Sequence, residues 1–351
     1  MSNLQPCSSC KQHSFRFMTL VALLAQSWVL AGADLAALRS GSLTRYPGNP
    51  MLMNGPELYD KNKTGPRVVM KVGPGQYRLW YEAVAGNGMT GVAHATSKDG
   101  LTWVKQGLVI TPSVPWEMEE VSPNTVLFEA GVYKLWYHGG GSVRGKRRLG
   151  YARIGYATSP DGLTWTKYPG NPVLDIGPSG SFDDSQVAEP RVLRVGNTYR
   201  MYYTGRHGAT EKNSLGMAVS ADGIHWKKHE GNPILDTERW GGCWGGAFIR
   251  ENGIWHLWHG ADKSGKSGLR YMWSSDGISW TDGPTNPVLT QNPDPKAPDH
   301  QHAGDSVSGY RDGDTYRIMY TGYNSNLFGK FGRFEGICLA TITVKKADQR
   351  K

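Results

Sequence analysis

Four copies of one short turn constrain this chain more than any other feature. Ser97-Lys98-Asp99-Gly100-Leu101-Thr102-Trp103 returns as Ser159-Pro160-Asp161-Gly162-Leu163-Thr164-Trp165, as Ser220-Ala221-Asp222-Gly223-Ile224-His225-Trp226 and as Ser274-Ser275-Asp276-Gly277-Ile278-Ser279-Trp280. The Asp residues stand at 99, 161, 222 and 276, at intervals of 62, 61 and 54 residues. Near-regular spacing on this scale marks a repeat architecture. Each Asp-Gly reads as a hairpin tip, because Asp bonds its own turn backbone and Gly supplies a positive φ without steric cost. A strand-like run precedes each turn, such as Ile154-Gly155-Tyr156-Ala157-Thr158, and a short strand carrying the Trp follows.

A second signature occurs five times: Tyr77-Arg78-Leu79-Trp80-Tyr81, Tyr133-Lys134-Leu135-Trp136-Tyr137, Tyr199-Arg200-Met201-Tyr202-Tyr203, Trp255-His256-Leu257-Trp258-His259 and Tyr316-Arg317-Ile318-Met319-Tyr320. Aromatic and branched residues favour strands, and another apolar run lies upstream of each copy. The repeat unit is therefore four short antiparallel strands, with no amphipathic helix. Five middle strands but four Asp-Gly turns leave one outer strand missing. Leu43-Thr44-Arg45-Tyr46-Pro47-Gly48-Asn49-Pro50 matches Leu163 to Pro172 with one residue fewer, and so supplies it. These observations predict an all-β five-bladed β-propeller, closed by an N-terminal strand that pairs near 336–342 and leaves only short, protected sheet edges. The recurring Asn-Pro pairs (49–50, 171–172, 232–233, 286–287) are expected where the chain crosses between blades.

Residues 1–33 contain no Asp or Glu; Lys11 and Arg16 precede an apolar stretch from Phe17 to Leu30, followed by Ala31-Gly32-Ala33. This pattern reads as a secretory signal peptide cut after Ala33, which divides the chain into a signal (1–33), a propeller (34–345) and a basic tail (346–351). The apolar stretch is short for a membrane span; an uncleaved anchor and an organelle transit peptide are the alternatives. The expected product is a secreted monomer without a membrane span. The net charge of +9 is spread out apart from Arg144-Gly145-Lys146-Arg147-Arg148 and Lys345-Lys346, and no reading helix or module accompanies it, so nucleic acid is not an expected partner. Cys7 and Cys10 fall in the signal segment; Cys243 and Cys338 form either a disulfide or two buried thiols. Asn62-Lys63-Thr64 is the single glycosylation sequon. No cofactor or metal motif is present. Gly86-Asn87-Gly88-Met89-Thr90-Gly91 satisfies a dinucleotide pattern but joins two strands, and His138-Gly139-Gly140-Gly141 lacks the nucleophile elbow of a lipase.

Ala-Thr-Ser-x-Asp-Gly-Leu-Thr-Trp followed by Gly-Asn-Pro-Val-Leu, taken round the repeats from about residue 43 to 343, resembles the five-bladed propeller glycoside hydrolases: the arabinanase, xylosidase, invertase and levansucrase families and the mannoside phosphorylases. The turns are also similar to sialidase Asp-boxes, but are one residue shorter, and sialidases have six blades. The resemblance implies a substrate pocket at one end of the axis, built from residues leading into each blade's innermost strand. It also implies a pair of carboxylates, one protonating the leaving oxygen and the other activating water or attacking the sugar.

Glu189-Pro190 matches the family's general acid, a Glu at the start of the third blade. At the start of the second blade the family often carries Asp-Pro, where this chain has Ser122-Pro123 with Glu119 and Glu120 upstream. At the first, an Asp is expected near Gly65, and the nearest is Asp60. The fifth blade offers His300, His302 and Asp305, and the fourth, Trp240 to Gly245, no acid. The expected catalytic set is Glu189 with Asp60, Glu120 or Asp305 opposite. Trp116, Trp240 and Trp244 are candidates for stacking on sugar faces, with His302, Arg191 and Arg206 as further substrate contacts; the two arginines would hold phosphate in a phosphorylase. Asp183 and Asp184 are read as caps on backbone groups, and Trp103, Trp165, Trp226 and Trp280 as packing between blades. The substrate is expected to be an oligo- or polysaccharide. A sugar-binding propeller without catalysis is the remaining alternative.

Overall fold

A computed structural model of the chain describes residues 38, 43–140, 152–236, 244–263, 266–327 and 334–344. The signal segment, the basic tail, Trp240 and Cys243 lie outside the described residues. Five antiparallel sheets form the five blades of a propeller. Blade one runs Lys63–Gly73, Gln76–Val84, Thr90–Ser97, Val104–Ile110; blade two Val121–Glu129, Val132–Gly139, Arg153–Ser159, Thr166–Lys167; blade three Gln186–Val195, Thr198–Arg206, Asn213–Ser220, Lys227–Lys228. Blade four runs Trp244–Glu251, Ile254–Lys263, Lys266–Ser274, Thr281–Asp282, and blade five His302–Asp312, Thr315–Asn324, Phe334–Thr343, with Thr44–Arg45 outermost. The first strand of each blade lines the axis. Thr44 pairs with Thr341 and Arg45 with Ala340, so the N-terminal strand closes the ring as the missing outer strand required. The outer strands of blades two to five span only two residues each.

The Asp-Gly turns behave as their chemistry dictates. Asp99 Oδ1 accepts bonds from Ser97 Oγ (2.9 Å) and from the amides of Leu101 and Thr102 (both 2.8 Å), and these amides hold its carboxyl at about 2. The turns also join neighbouring blades. Trp80 Nε1 of blade one donates to Gly162 O of blade two (2.8 Å), Trp136 Nε1 to Gly223 O of blade three (2.8 Å), and Tyr202 Oη to Gly277 O of blade four (2.9 Å). Gly223 has φ +84°, and a Cβ there would lie 2.8 Å from Trp136, so this turn needs Gly for both its conformation and its packing. The Trp that follows each turn packs as expected: Trp165 meets Trp80 edge-on, and Trp280 meets Tyr202 and Phe248 edge-on.

A buried acid–tyrosine–cation triad recurs in four blades. Asp60 accepts Tyr81 Oη (3.3 Å) and pairs with Lys105 (2.5 Å). Glu117 takes Tyr137 Oη (2.9 Å) and Lys167 (2.6 Å), and Asp183 takes Tyr203 Oη (3.0 Å) and Lys228 (2.6 Å). Asp299 takes Tyr320 Oη (2.7 Å) and Arg45 Nε (2.6 Å), which anchors the closing strand. The acid comes from the loop before the inner strand, the Tyr from within the second strand, and the cation from the outer strand. Blade four has His259 in the Tyr position and Asp282 in the cation position. Asp183 therefore departs from the expected backbone cap, whereas Asp184 fulfils it, accepting the amides of Gly180 (2.8 Å) and Gly208 (2.7 Å).

Candidate active site

Every inner strand bulges at the same height. The register slips at Pro66/Val68, Pro123/Thr125, Ala188/Arg191, Trp244/Ala247 and Ala303/Val307. A bulge re-aims the side chain it carries, and here the re-aimed positions form a ring at one end of the axis: Arg67, Asn124, Glu189, Gly245 and the Gly304–Ser306 segment. Glu189 adopts φ 55°, which costs a non-glycine residue free energy and is a mark of functional positions.

The ring is held by ion pairs. The Arg67 guanidinium grips Glu189 through Nη1 and Glu82 through Nη2. Asn124 Nδ2 also donates to Glu189 Oε2 (2.9 Å), and Ser122 Oγ to Glu82 Oε2 (2.9 Å). Lys63 Nζ lies 3.3 Å from Glu82 and 3.5 Å from Glu335. His138 shares a bond with Asn124 Oδ1 (2.9 Å) and reaches Glu120 (3.2 Å). Glu82, Glu189, Arg67, Asn124, Ser122 and His138 are all buried.

The two central carboxylates are held unequally. Burial pushes Glu82 up, but Arg67, Lys63 and the bonds from Arg67 and Ser122 hold it far below the ordinary glutamate value. Burial likewise pushes Glu189 up; Arg67, His138 and Arg191 bring it below the ordinary value, while the Glu82 charge opposes them. Burial disfavours the charged His138, yet Glu120 and Glu189 raise its pKa overall.

The residues from about 66 to 335 carry a family signature. The family model "Glycosyl hydrolases family 32 N-terminal domain" matches residues 66–211 and 191–335. The chain belongs to this family. Two Mycobacterium tuberculosis proteins, "Uncharacterized protein MT1551" (strain CDC 1551 / Oshkosh) and "Uncharacterized protein Rv1502" (strain H37Rv), are each 25% identical over 198 residues, covering 51% of this chain and 64% of the relative, a little under two thirds of its length. Among solved structures, BT0996 in a complex with RGII superposes with TM-score 0.68 at 16% identity, covering 91% of this chain and 97% of that one. Zg3597, a family 117 glycoside hydrolase from the marine bacterium Zobellia galactanivorans, gives 0.62 at 18% identity over 89% and 96%. A thermostable family-43 glycoside hydrolase gives 0.62 at 17% over 86% and 97%. At these identities the structures share the fold.

Within this family 32 propeller, the expected site residues divide. Glu189 sits in the axial ring. Glu120 joins its edge through His138, and Asp305 sits at the edge against His302 (2.8 Å). Asp60 does not join them: it is fully buried in the blade-one triad. Trp116 lies nearly parallel to Tyr137, 6.0 Å between centroids, and packs against blade two. Trp244 begins the inner strand of blade four. Arg191 turns away from the ring, its Nη1 donating to Arg67 O (2.9 Å) and Asn124 O and its Nη2 to Val307 O (2.9 Å), which ties blade three to blades one, two and five. Arg206 pairs with Glu211 (3.2 Å). The ion pairs of Glu82 and Glu189 described above involve Arg67 and not Arg191 or Arg206. Cys338 is a free, buried thiol. Among the described residues, no helix is long and apolar enough to cross a membrane, and no His/Cys/Asp/Glu group is arranged to hold a metal ion.

Glu82, Arg67, Asn124, His138 and Lys63 were not anticipated. Glu82 pairs across the strands with Gly65, and a Cβ built on Gly65 would lie 3.5 Å from Glu82 Oε1. The carboxylate expected near Gly65 on the inner strand is thus matched in space by one from the second strand. The sequence does hold a signal for it. The residue just after each aromatic signature is Glu82, His138, Thr204, Gly260 or Thr321, a changing position within an otherwise repeating stretch.

Proposed function

We propose that this propeller hydrolyses a glycosidic bond of an oligo- or polysaccharide at the ringed end of its axis, with Glu189 as general acid and Glu82 as the opposing carboxylate. The observation that carries this reading is the unequal hold on two buried carboxylates gripped by one guanidinium. A catalytic pair divides its roles when its surroundings separate the two proton affinities. Glu82, fixed by Arg67, Lys63 and Ser122, stays ionised and suits attack or water activation. Glu189 feels the Glu82 charge and takes up a proton first, which suits donation to the leaving oxygen. Arg67 keeps both groups in one place until the substrate enters. The fold neighbours are glycoside hydrolases and a complex named for RGII, which supports a carbohydrate substrate.

The test is a screen of arabinosides, xylosides, galactosides, fructosides and mannosides, followed by carboxylate-to-amide variants on any hit. Glu189→Gln should lower the rate on a poor leaving group by ~10²–10⁴-fold, and by less on an activated aryl glycoside, which needs little protonation. Glu82→Gln should disable both. Full activity of Glu189→Gln on the poor leaving group, or of Glu82→Gln on either, removes that residue from the mechanism. A second reading, a sugar-binding propeller without turnover, is favoured by one observation: Arg67 occupies both carboxylates at once. Measurable sugar binding with no hydrolysis of any substrate selects it.

A further inference from the structure

Below the ring, the central channel opens into a cavity of about 360 Å³, lined by the continuing inner strands of all five blades. Among the described residues no Asp or Glu lines it, while four arginines do: Arg67, whose charge is already shared with Glu82 and Glu189, Arg191, Arg194 and Arg250. Arg67 and Arg191 are 5% and 6% exposed, and the Nε atom of each is buried without a hydrogen-bond partner. Neutral donors and acceptors complete the wall, among them Asn124 and the buried Ser308. Arg194 and Arg250 are exposed; their guanidinium groups lie over the Tyr199 and Trp255 rings at 4.6 and 5.3 Å, Arg194 Nε also donates to Gly196 O (3.0 Å), and the Arg194 charge reaches Glu129.

A buried guanidinium without a carboxylate is costly, because desolvation is uncompensated. Arg191 shows this: its three carbonyl acceptors carry no charge, and burial lowers its pKa to about 10. Glu189, whose charge acts on it, is already held by Arg67. The cavity therefore combines the positive charge of Arg191 and Arg250, with that of Arg194 partly opposed by Glu129, the unused Nε–H donors of Arg67 and Arg191, polar neutral groups and room for a polyatomic ion. Guanidinium N–H groups match the oxygens of phosphate and sulfate.

We infer that the channel below the ring binds a tetrahedral oxyanion, phosphate or sulfate, either free or as a group on a larger molecule. The cavity shares Arg67 and Asn124 with the ring of the proposed sugar pocket, and Arg191 ties three of the inner strands together there.

The test uses the full chain and needs no turnover, so it stands apart from the glycosidase reading. Inorganic phosphate, sulfate and a hexose 6-phosphate are titrated by calorimetry and by thermal melting, against chloride at matched ionic strength. The expected result is a saturable heat and a rising melting temperature with the oxyanions alone. Arg194→Ala and Arg250→Ala, at exposed positions, should each weaken binding by about tenfold, as loss of a charged hydrogen bond does. Equal binding of the hexose phosphate assigns the group on a larger molecule, and binding of the free ions alone assigns the inorganic anion. No response beyond chloride, or a response that both variants leave unchanged, overturns the inference.

Discussion

Asp60→Asn separates fold from chemistry more cleanly than any other substitution in this molecule. Asp60 is fully buried, pairs with Lys105 at 2.5 Å and accepts Tyr81 Oη. Burial raises its pKa, against the pull of Lys105 and Tyr81. The amide keeps the shape and the Tyr81 bond but removes the charge. Breaking a buried pair by removing one partner costs about 3–5 kcal/mol. Lys105 remains partly hydrated and also donates to Gly55 O at 2.7 Å, which puts the cost at the lower end. With an unfolding entropy of about 2.1 cal/mol/K per residue over roughly 300 folded residues, ~3 kcal/mol lowers the melting temperature by about 5 °C. The assay is a thermal melt at neutral pH, together with kcat/KM on a responsive glycoside well below the melt. The melt should fall and kcat/KM should hold. Adding Lys105→Met should recover part of the loss, since it removes the orphaned charge. A hundredfold fall in kcat/KM with an unchanged melt would refute the structural role and return Asp60 to the chemistry.

The kcat/KM profile should rise as pH falls from neutral, because Glu189 must be protonated to act and its pKa lies below the ordinary value; a rate that climbs above neutral pH contradicts this. Both central glutamates are depressed in the folded state, so the stability they contribute is full above the unfolded value of about 4.3 and is lost as pH falls through their folded values; the melting temperature should drop over that acid range. Gly245 has φ 58°, and a Cβ there would lie 2.8 Å from Glu189 Oε2. Gly245→Ala should therefore cut turnover while costing about 1–2 kcal/mol of stability, and unaltered kinetics would mean that Glu189 is not fixed by this contact. Deleting residues 34–50 removes the closing strand and leaves Asp299 without Arg45, so the melt should fall by at least as much as in Asp60→Asn; an unchanged melt would refute closure by this strand.

The propeller is legible because its determinants repeat. Each turn Asp, turn Gly and strand Trp does one job in one place, and four copies with a fifth outer strand suffice to count blades. The triad acids are harder to read. Asp60, Glu117, Asp183 and Asp299 each precede the last Tyr of their blade's aromatic signature by 20 or 21 positions, but their neighbours in sequence differ, so Asp60 resembles a displaced catalytic group until its Tyr and Lys partners are seen to recur. Glu189 is legible because the resemblance supplies its motif. Glu82 is not, since the bulge and cross-strand pairing that bring it over Gly65 are tertiary, and its only mark in the sequence is that it varies where its neighbours repeat. Arg191 misleads for a related reason: an Arg beside a catalytic Glu looks like a substrate contact, but the channel's unpaired carbonyls claim it.

The closing strand also orders events in time. Asn49 binds the Leu339 carbonyl, 290 positions away. At a synthesis rate of roughly 5–20 residues per second, some 290 residues take about 15–60 s to appear. Through that interval the segment that finishes blade five exists without its partner, while blades one to four acquire theirs in order. Such distant pairing is slow to form because the chain loop must close before any contact is gained. The ring is thus completed by its earliest-made strand meeting one of its latest, so a ribosome-bound chain that stops before residue 336 carries four potential blades and no closed propeller.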